Sequence, residues 1–185
     1  MKKYNHEHDV PFEAFITNLG KYNEGELVGK WVKFPATEEE LQKTFREIGI
    51  GSEDAFGVPY EEWFITDYDV YVDPLYQVLS EYESVDTLNE LAEAIEDMDE
   101  AKFETFQAAL EYEAPSHAGE VLGIIGKLDN YFHLPNVNSN SDLGWYLIHE
   151  IGEINIPDEY LKYIDYERYA EDRANGLYTD HGYIE

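Results

Sequence analysis

The chain has 185 residues, 43% of them apolar and 15% aromatic, enough for one ordinary domain or two to three small ones and too rich in core material for a disordered acidic tail. Forty-one Asp and Glu stand against twelve Lys and Arg, a net of −29, which excludes direct binding to nucleic-acid phosphates and to anionic membranes and favours a basic protein partner. With no cysteine, no signal-like apolar run at the start and no stretch near the ~18 apolar residues of a membrane span, a soluble cytoplasmic protein is expected.

In chain order, Phe12, Ala14, Ile16 and Leu19 predict a strand. Tyr22-Asn23-Glu24-Gly25-Glu26 offers turn chemistry, and Leu27 to Phe34 resumes an extended run. Thr37-Glu38-Glu39-Glu40 is a capping-box pattern, followed by Leu41, Phe45 and Ile48 at helical spacing and closed by Gly49 and Gly51. Trp63 to Tyr68 predicts another strand. Thr87 and Glu90 suggest a second capping box ahead of Leu88, Leu91, Ala92 and Ile95. Asp99 is placed to cap a further helix with Phe103, Phe106 and Leu110 inward.

The last third mixes types. Asp129 to Leu134 reads as extended, and Pro135 to Asp142 as an Asn/Ser-rich loop. Helices are expected from about Leu143 to Ile151, from Glu159 to Ile164 behind Pro157, and from Tyr166 to Ala174. Leu177 to Ile184 closes the chain as a terminal strand. There is no internal repeat. The fold class read from this is α+β: residues 1–12 as an extension, 13–72 an antiparallel sheet with a short helix, 73–126 an acidic helical middle, and 127–185 a mixed α/β domain suited to dimerisation.

The charge is unevenly spread. Residues 1–46 sum to −1 and residues 127–185 to −8, whereas residues 47–126 hold twenty-one acidic residues and one basic residue, Lys102, for −20. Duplex DNA carries about one charge per ~1.7 Å of axis, so −29 equals roughly 50 Å of duplex, or about fifteen base pairs. A compact globule of this length would measure only about 40 Å across, and self-repulsion favours an elongated shape for the chain of three small domains. Like charges three and four apart cost a helix a few tenths of a kcal/mol per pair, roughly, so stability alone does not explain them.

No catalytic constellation emerges. Forty-one carboxylates guarantee chance pairs, and the six histidines (His6, His8, His117, His133, His149 and His181) show no metal-ligand spacing. A P-loop, a dinucleotide fingerprint and a nucleophile elbow are all missing, so an enzyme, a metal and a cofactor are not expected. Calcium is a rival, through Asp67, Asp69 and Asp73 or through Asn136 to Asp142, although neither stretch has the EF-hand pattern. Asp67 and Asp69 on a strand would share a face and suit a charged ridge equally well. A salt-adapted structural or interaction protein is the other alternative, against which stands the near-neutral first quarter.

Asn18 to Trp31, with its Tyr-Asn-x-Gly and Gly-x-Trp elements, resembles the opening signature of the ArdA antirestriction proteins. Glu62 to Asp69, Tyr163 to Asp172 and the Asp180-His181-Gly182 ending are similar to further family motifs, in family order, and together they frame residues 13–185. Thr66 stands where a histidine is frequent. The resemblance implies a DNA mimic of conjugative elements that inhibits type I restriction-modification enzymes by occupying their DNA-binding groove. It also implies a curved rod of small domains paired head to head through the C-terminal domain.

The phosphate-mimicking candidates are Glu53, Asp54, Glu61, Glu62, Asp67, Asp69, Asp73, Glu81, Glu83, Asp86, Glu90, Glu93, Glu96, Asp97, Asp99, Glu100, Glu104, Glu111 and Glu113. The expected partners are the DNA-binding subunits of type I enzymes and a second copy of the chain. Tyr131, Phe132, Leu134, Trp145, Tyr146 and Ile148 are apolar enough for a dimer seam in the less acidic third, and suit the core of their own domain as well.

Overall fold

A computed structural model describes residues 9–185, so most of the expected extension lies outside the described residues, and Phe12 is already a strand residue. The elements run β1 (Phe12–Asn18), α1 (Leu19–Asn23), β2 (Gly29–Phe34), α2 (Glu38–Glu47), β3 (Trp63–Val70), α3 (Val85–Glu96), α4 (Glu100–Glu113) and α5 (Ala118–Ile125). They continue with β4 (His133–Leu134), α6 (Asn140–Tyr146), α7 (Asp158–Leu161), α8 (Tyr166–Glu171), β5 (Leu177–Thr179) and β6 (Gly182–Ile184). Helices with two antiparallel three-stranded sheets make this an α+β protein, as the sequence predicts.

The chain divides into two compact units. One holds the residues up to Asp99 together with Pro115–Gly123, and the other holds Glu100–Ala114 and Ile124–Glu185. In the first unit β1 is the central strand of the order β2-β1-β3. Alternation sends Phe12, Ala14 and Ile16 to full burial, joined by Val32 and Phe34 of β2 and Ile65 of β3. Thr37 caps α2 in the expected capping box: its hydroxyl accepts from the Glu40 N–H, and Glu40 returns the favour to the Thr37 N–H at 2.9 Å. Leu41 and Ile48 turn inward with Thr44, while Phe45 is half-buried and packs its ring on Trp63 at 5.5 Å.

The start of α3 differs from expectation. Its cap is Ser84, whose hydroxyl accepts from the Thr87 N–H at 3.0 Å, so Thr87 lies inside the first turn. Entry three residues earlier extends the helix while leaving Leu88, Leu91, Ala92 and Ile95 fully buried, as the periodicity requires. Asn89 fixes this helix to the turn before α2 by both halves of its amide: Oδ1 accepts from the Ala36 N–H at 2.7 Å and Nδ2 donates to the Ala36 carbonyl at 3.0 Å.

In the second unit α4 buries Phe103, Phe106 and Leu110 as expected. Leu134, Val137, Leu143, Ala170 and Tyr183 form a core cluster between the small sheet and the α6/α8 pair. The predicted terminal strand is two strands, because Gly182 at φ +110° folds β6 back on β5 in the order β4-β6-β5. The helix expected to end near Gly152 starts earlier, at Asn140, and continues as a π-helical turn over Leu147–Ile151. Residues 128–130 form a 3-10 turn, which leaves only His133–Leu134 extended in that stretch. No described helix is long and apolar enough to cross a membrane.

Candidate partner-binding surface

Burying Leu88, Leu91, Ala92 and Ile95 leaves the opposite face of α3 to solvent. Asp86, Glu90 and Glu93 on that helix, with Asp97 just past its end, follow at steps of four, three and four residues and form one exposed stripe. At 1.5 Å of rise per residue the stripe has a charge about every 5.5 Å. A single DNA strand carries one per about 3.4 Å of axis.

The other candidates reach the surface too. Glu53, Glu61, Glu62, Asp67, Asp69, Asp73, Glu81, Glu96, Asp99, Glu100, Glu104 and Glu113 are exposed, and Asp54, Glu83 and Glu111 are half-buried. None of the nineteen is buried.

Those carboxylates that are held in place are held mainly by neutral donors. Asp54 accepts the N–H groups of Phe56 and Val58, both at 2.8 Å, and so shapes its own turn. Glu111 accepts the Asp180 N–H at 3.1 Å, with His181 Nε2 3.6 Å from its other oxygen. Tyrosine hydroxyls donate to Asp69 from Tyr71 at 2.9 Å and to Glu113 from Tyr131 at 2.7 Å. The pattern recurs outside this segment, with Tyr60 to Glu24 and Tyr169 to Glu153, both at 2.8 Å.

The phenols respond as they should. The hydrogen bond to Glu24 pushes Tyr60 up to about 12. Burial, then the neighbouring carboxylate, raises Tyr71 and Tyr131. A phenol that stays protonated at neutral pH leaves the pair with its full negative charge, where a lysine would cancel it. Cations are used sparingly: Lys30 pairs with Glu47, Lys33 with Glu13 at 3.9 Å, Lys102 with Asp129 at 3.3 Å and Arg173 with Glu153 at 3.1 Å.

A second feature escaped the sequence reading. The face of the first sheet opposite its core carries Phe15, with Trp31 and Asp67 directly across from it on the two flanking strands. Phe15 and Trp31 meet edge to face at 5.3 Å, and Tyr22 stands edge-on to Phe64 at 5.1 Å. With Leu27, Ile65, Thr66 and Glu81 these residues line an open groove. Trp31 is 40% exposed, Tyr22 49% and Leu27 67%.

Gly29 makes this packing possible: a Cβ there would lie 2.5 Å from the Phe15 ring and 2.8 Å from the Ile16 carbonyl oxygen. Thr66 sits at the irregularity in β1/β3 pairing, and its hydroxyl meets that of Thr17 at 2.8 Å. The clue in the sequence was alternation, since Phe15 and Trp31 have the opposite parity to Phe12, Ala14, Ile16, Val32 and Phe34.

The calcium stretches have other work. Asp67 and Asp69 do share the outer face of β3, and Asp142 accepts from the Asn138 N–H at 3.2 Å and the Ser139 hydroxyl at 2.7 Å at the start of α6. Among the described residues no group of three His, Asp or Glu is gathered to hold a metal. Of the seam candidates, Leu134 and Ile148 are buried in their own unit, Tyr131 and Tyr146 are half-buried, and Phe132 and Trp145 are 38% and 47% exposed.

Fold and surface together define a small α+β protein whose most acidic segment is displayed rather than neutralised. Residues 14–185 match the antirestriction protein family (ArdA), and the chain belongs to that family. Comparison with curated proteins finds no match. Family membership makes antirestriction the function and restriction enzymes the partners.

Proposed function

We propose that the chain is a non-enzymatic DNA mimic that occupies the DNA-binding groove of type I restriction-modification enzymes, in the cytoplasm of a cell receiving a conjugative element. The observation that carries this reading is that nineteen carboxylates between Glu53 and Glu113 all reach the surface, several of them fixed by donors that leave their charge intact. They stand in for phosphates and meet Lys and Arg of the DNA-binding subunits, in an association that is fast, charge-steered and weakened by salt.

Phosphate-type contacts are numerous and individually modest. In competition against labelled DNA for a type I enzyme, Glu90→Gln, Glu93→Gln, Asp97→Asn or Glu100→Gln alone therefore leaves displacement within about twofold. Changing all four reduces displacement progressively. Abolition by one amide substitution would overturn distributed mimicry.

The division into an acidic segment 73–126 and a joining segment 127–185 belongs to the same proposal, as does a two-fold dimer. Two chains carry twice −29, the charge of roughly 100 Å of duplex, and an isologous pair reproduces the approximate two-fold symmetry of DNA. Phe132 and Trp145 are the exposed members of the expected seam, and joining there avoids burying like charges. Sedimentation at micromolar concentration in moderate salt is expected to give a dimer. A monomer that still inhibits would remove pairing from the mechanism.

A further inference from the structure

We propose that the outer face of the first sheet is a docking groove for an arginine side chain of the partner. The groove is a place where the chain recognises more than charge. Three apolar walls, Tyr22, Leu27 and Trp31, stay exposed around a floor of Phe15. A folded protein has little reason to leave an indole, a phenol and a leucine together on one concave face unless something covers them. The lining also includes Asp67, on the strand across Phe15 from Trp31, and Glu81, both exposed and without a Lys or Arg partner among the described residues.

Charge and shape together select the occupant. Trp31 and Asp67 stand across from Phe15 on the two strands flanking β1, so their backbones are about 10 Å apart at the usual strand spacing. A planar guanidinium laid over Phe15 is narrow enough to fit between the side chains that rise from those two strands. One face of it stacks on the aromatic wall while its N–H fork reaches a carboxylate, a combination open to arginine and poorly matched by the compact, strongly hydrated ammonium of lysine. Gly29 leaves room for this floor, since a Cβ at residue 29 would strike the Phe15 ring. The result is one aromatic anchor beside many dispersed phosphate-like contacts.

The inference rests on the DNA-mimic reading only for the source of the arginine, so its test has two arms. In the first, Ac-Gly-Arg-Arg-Gly amide and its lysine counterpart are titrated into the full chain while the three indole N–H resonances are followed. Trp31 is expected to shift saturably, with Trp63 and Trp145 as internal references, and with affinity for the arginine peptide about fivefold or more above the lysine peptide. The paired change Asp67→Asn with Glu81→Gln should weaken it several-fold. A Trp31 that moves no more than Trp145, or equal affinity for the two peptides, overturns the groove.

In the second arm, Trp31→Ala should need about five- to tenfold more protein to displace labelled DNA from a type I enzyme, and Trp31→Phe should recover much of the loss. Displacement by Trp31→Ala equal to that of the unaltered chain overturns the groove as a docking point. So does conversion of a dimer to a monomer by that substitution, which would make the face a contact between copies. If the unaltered chain displaces no DNA at all, the DNA-mimic reading falls and the peptide arm alone decides the groove.

Discussion

At the residue scale, two glycines show how much of the molecule depends on atoms that are missing. Gly144 is buried where α6 crosses α8, and a Cβ added there would stand 2.0 Å from the Tyr166 carbonyl oxygen and 2.7 Å from its carbonyl carbon. Backbone cannot swing aside as a side chain can, so the helices would have to part. Their separation would loosen Leu143 and Ala170, which belong to the same core cluster. Gly144→Ala is therefore expected to destabilise the protein by about 3 kcal/mol, read as a lowered urea midpoint. A loss under about 1 kcal/mol would mean that α8 shifts freely.

Neither this glycine nor Gly29 was legible from sequence as a close approach, because each contact is made with a segment distant in the chain. The Gly-x-Trp element could be recognised only as a pattern. Its physical content is that Gly29 makes room for Phe15, against which Trp31 then rests.

At the element scale, what could be read was periodicity and what could not was choice between neighbouring signals. Alternation placed Phe12, Ala14 and Ile16 in the core, and helical spacing placed Leu88, Leu91, Ala92 and Ile95 there too. That same spacing left Glu90, Glu93, Glu96 and Asp97 outside, so most of the acid stripe was legible in the sequence. Ahead of α3 the sequence offers two hydroxyl caps three residues apart, Ser84 and Thr87, and propensity alone does not rank them. The structure uses Ser84.

Thr37 had no such competitor, and its reciprocal bonds with Glu40 are formed. Thr37→Ala should cost about 1 kcal/mol, and Thr87→Ala less than half of that by the capping effect. Thermal melts of the two variants side by side give the comparison. Equal losses would show that capping does not govern these starts. The groove lay beyond this level of reading, because it depends on strand order, on register and on the irregular pairing after Phe15.

At the scale of the whole molecule, the same charge that suits the proposed partner opposes the folded state, and salt separates the two roles. A net of −29 is offset locally by few Lys or Arg ion pairs among the described residues, each with its cation exposed, and such solvent-accessible pairs contribute at most about 1 kcal/mol each. Repulsion among the displayed carboxylates reaches further, because the Debye length is about 30 Å near 0.01 M salt and about 10 Å near 0.1 M. Salt in this range therefore screens more repulsion than attraction. The melting temperature should rise by several degrees between those two concentrations. Displacement of DNA from a type I enzyme, measured over a wider range, should weaken steadily as salt increases, since its attraction is between chains of opposite charge. Opposite signs for stability and inhibition are the expected outcome. A melting temperature that falls on adding salt would mean that attractive pairs outweigh repulsion in the fold, and inhibition insensitive to salt would remove charge complementarity as its basis.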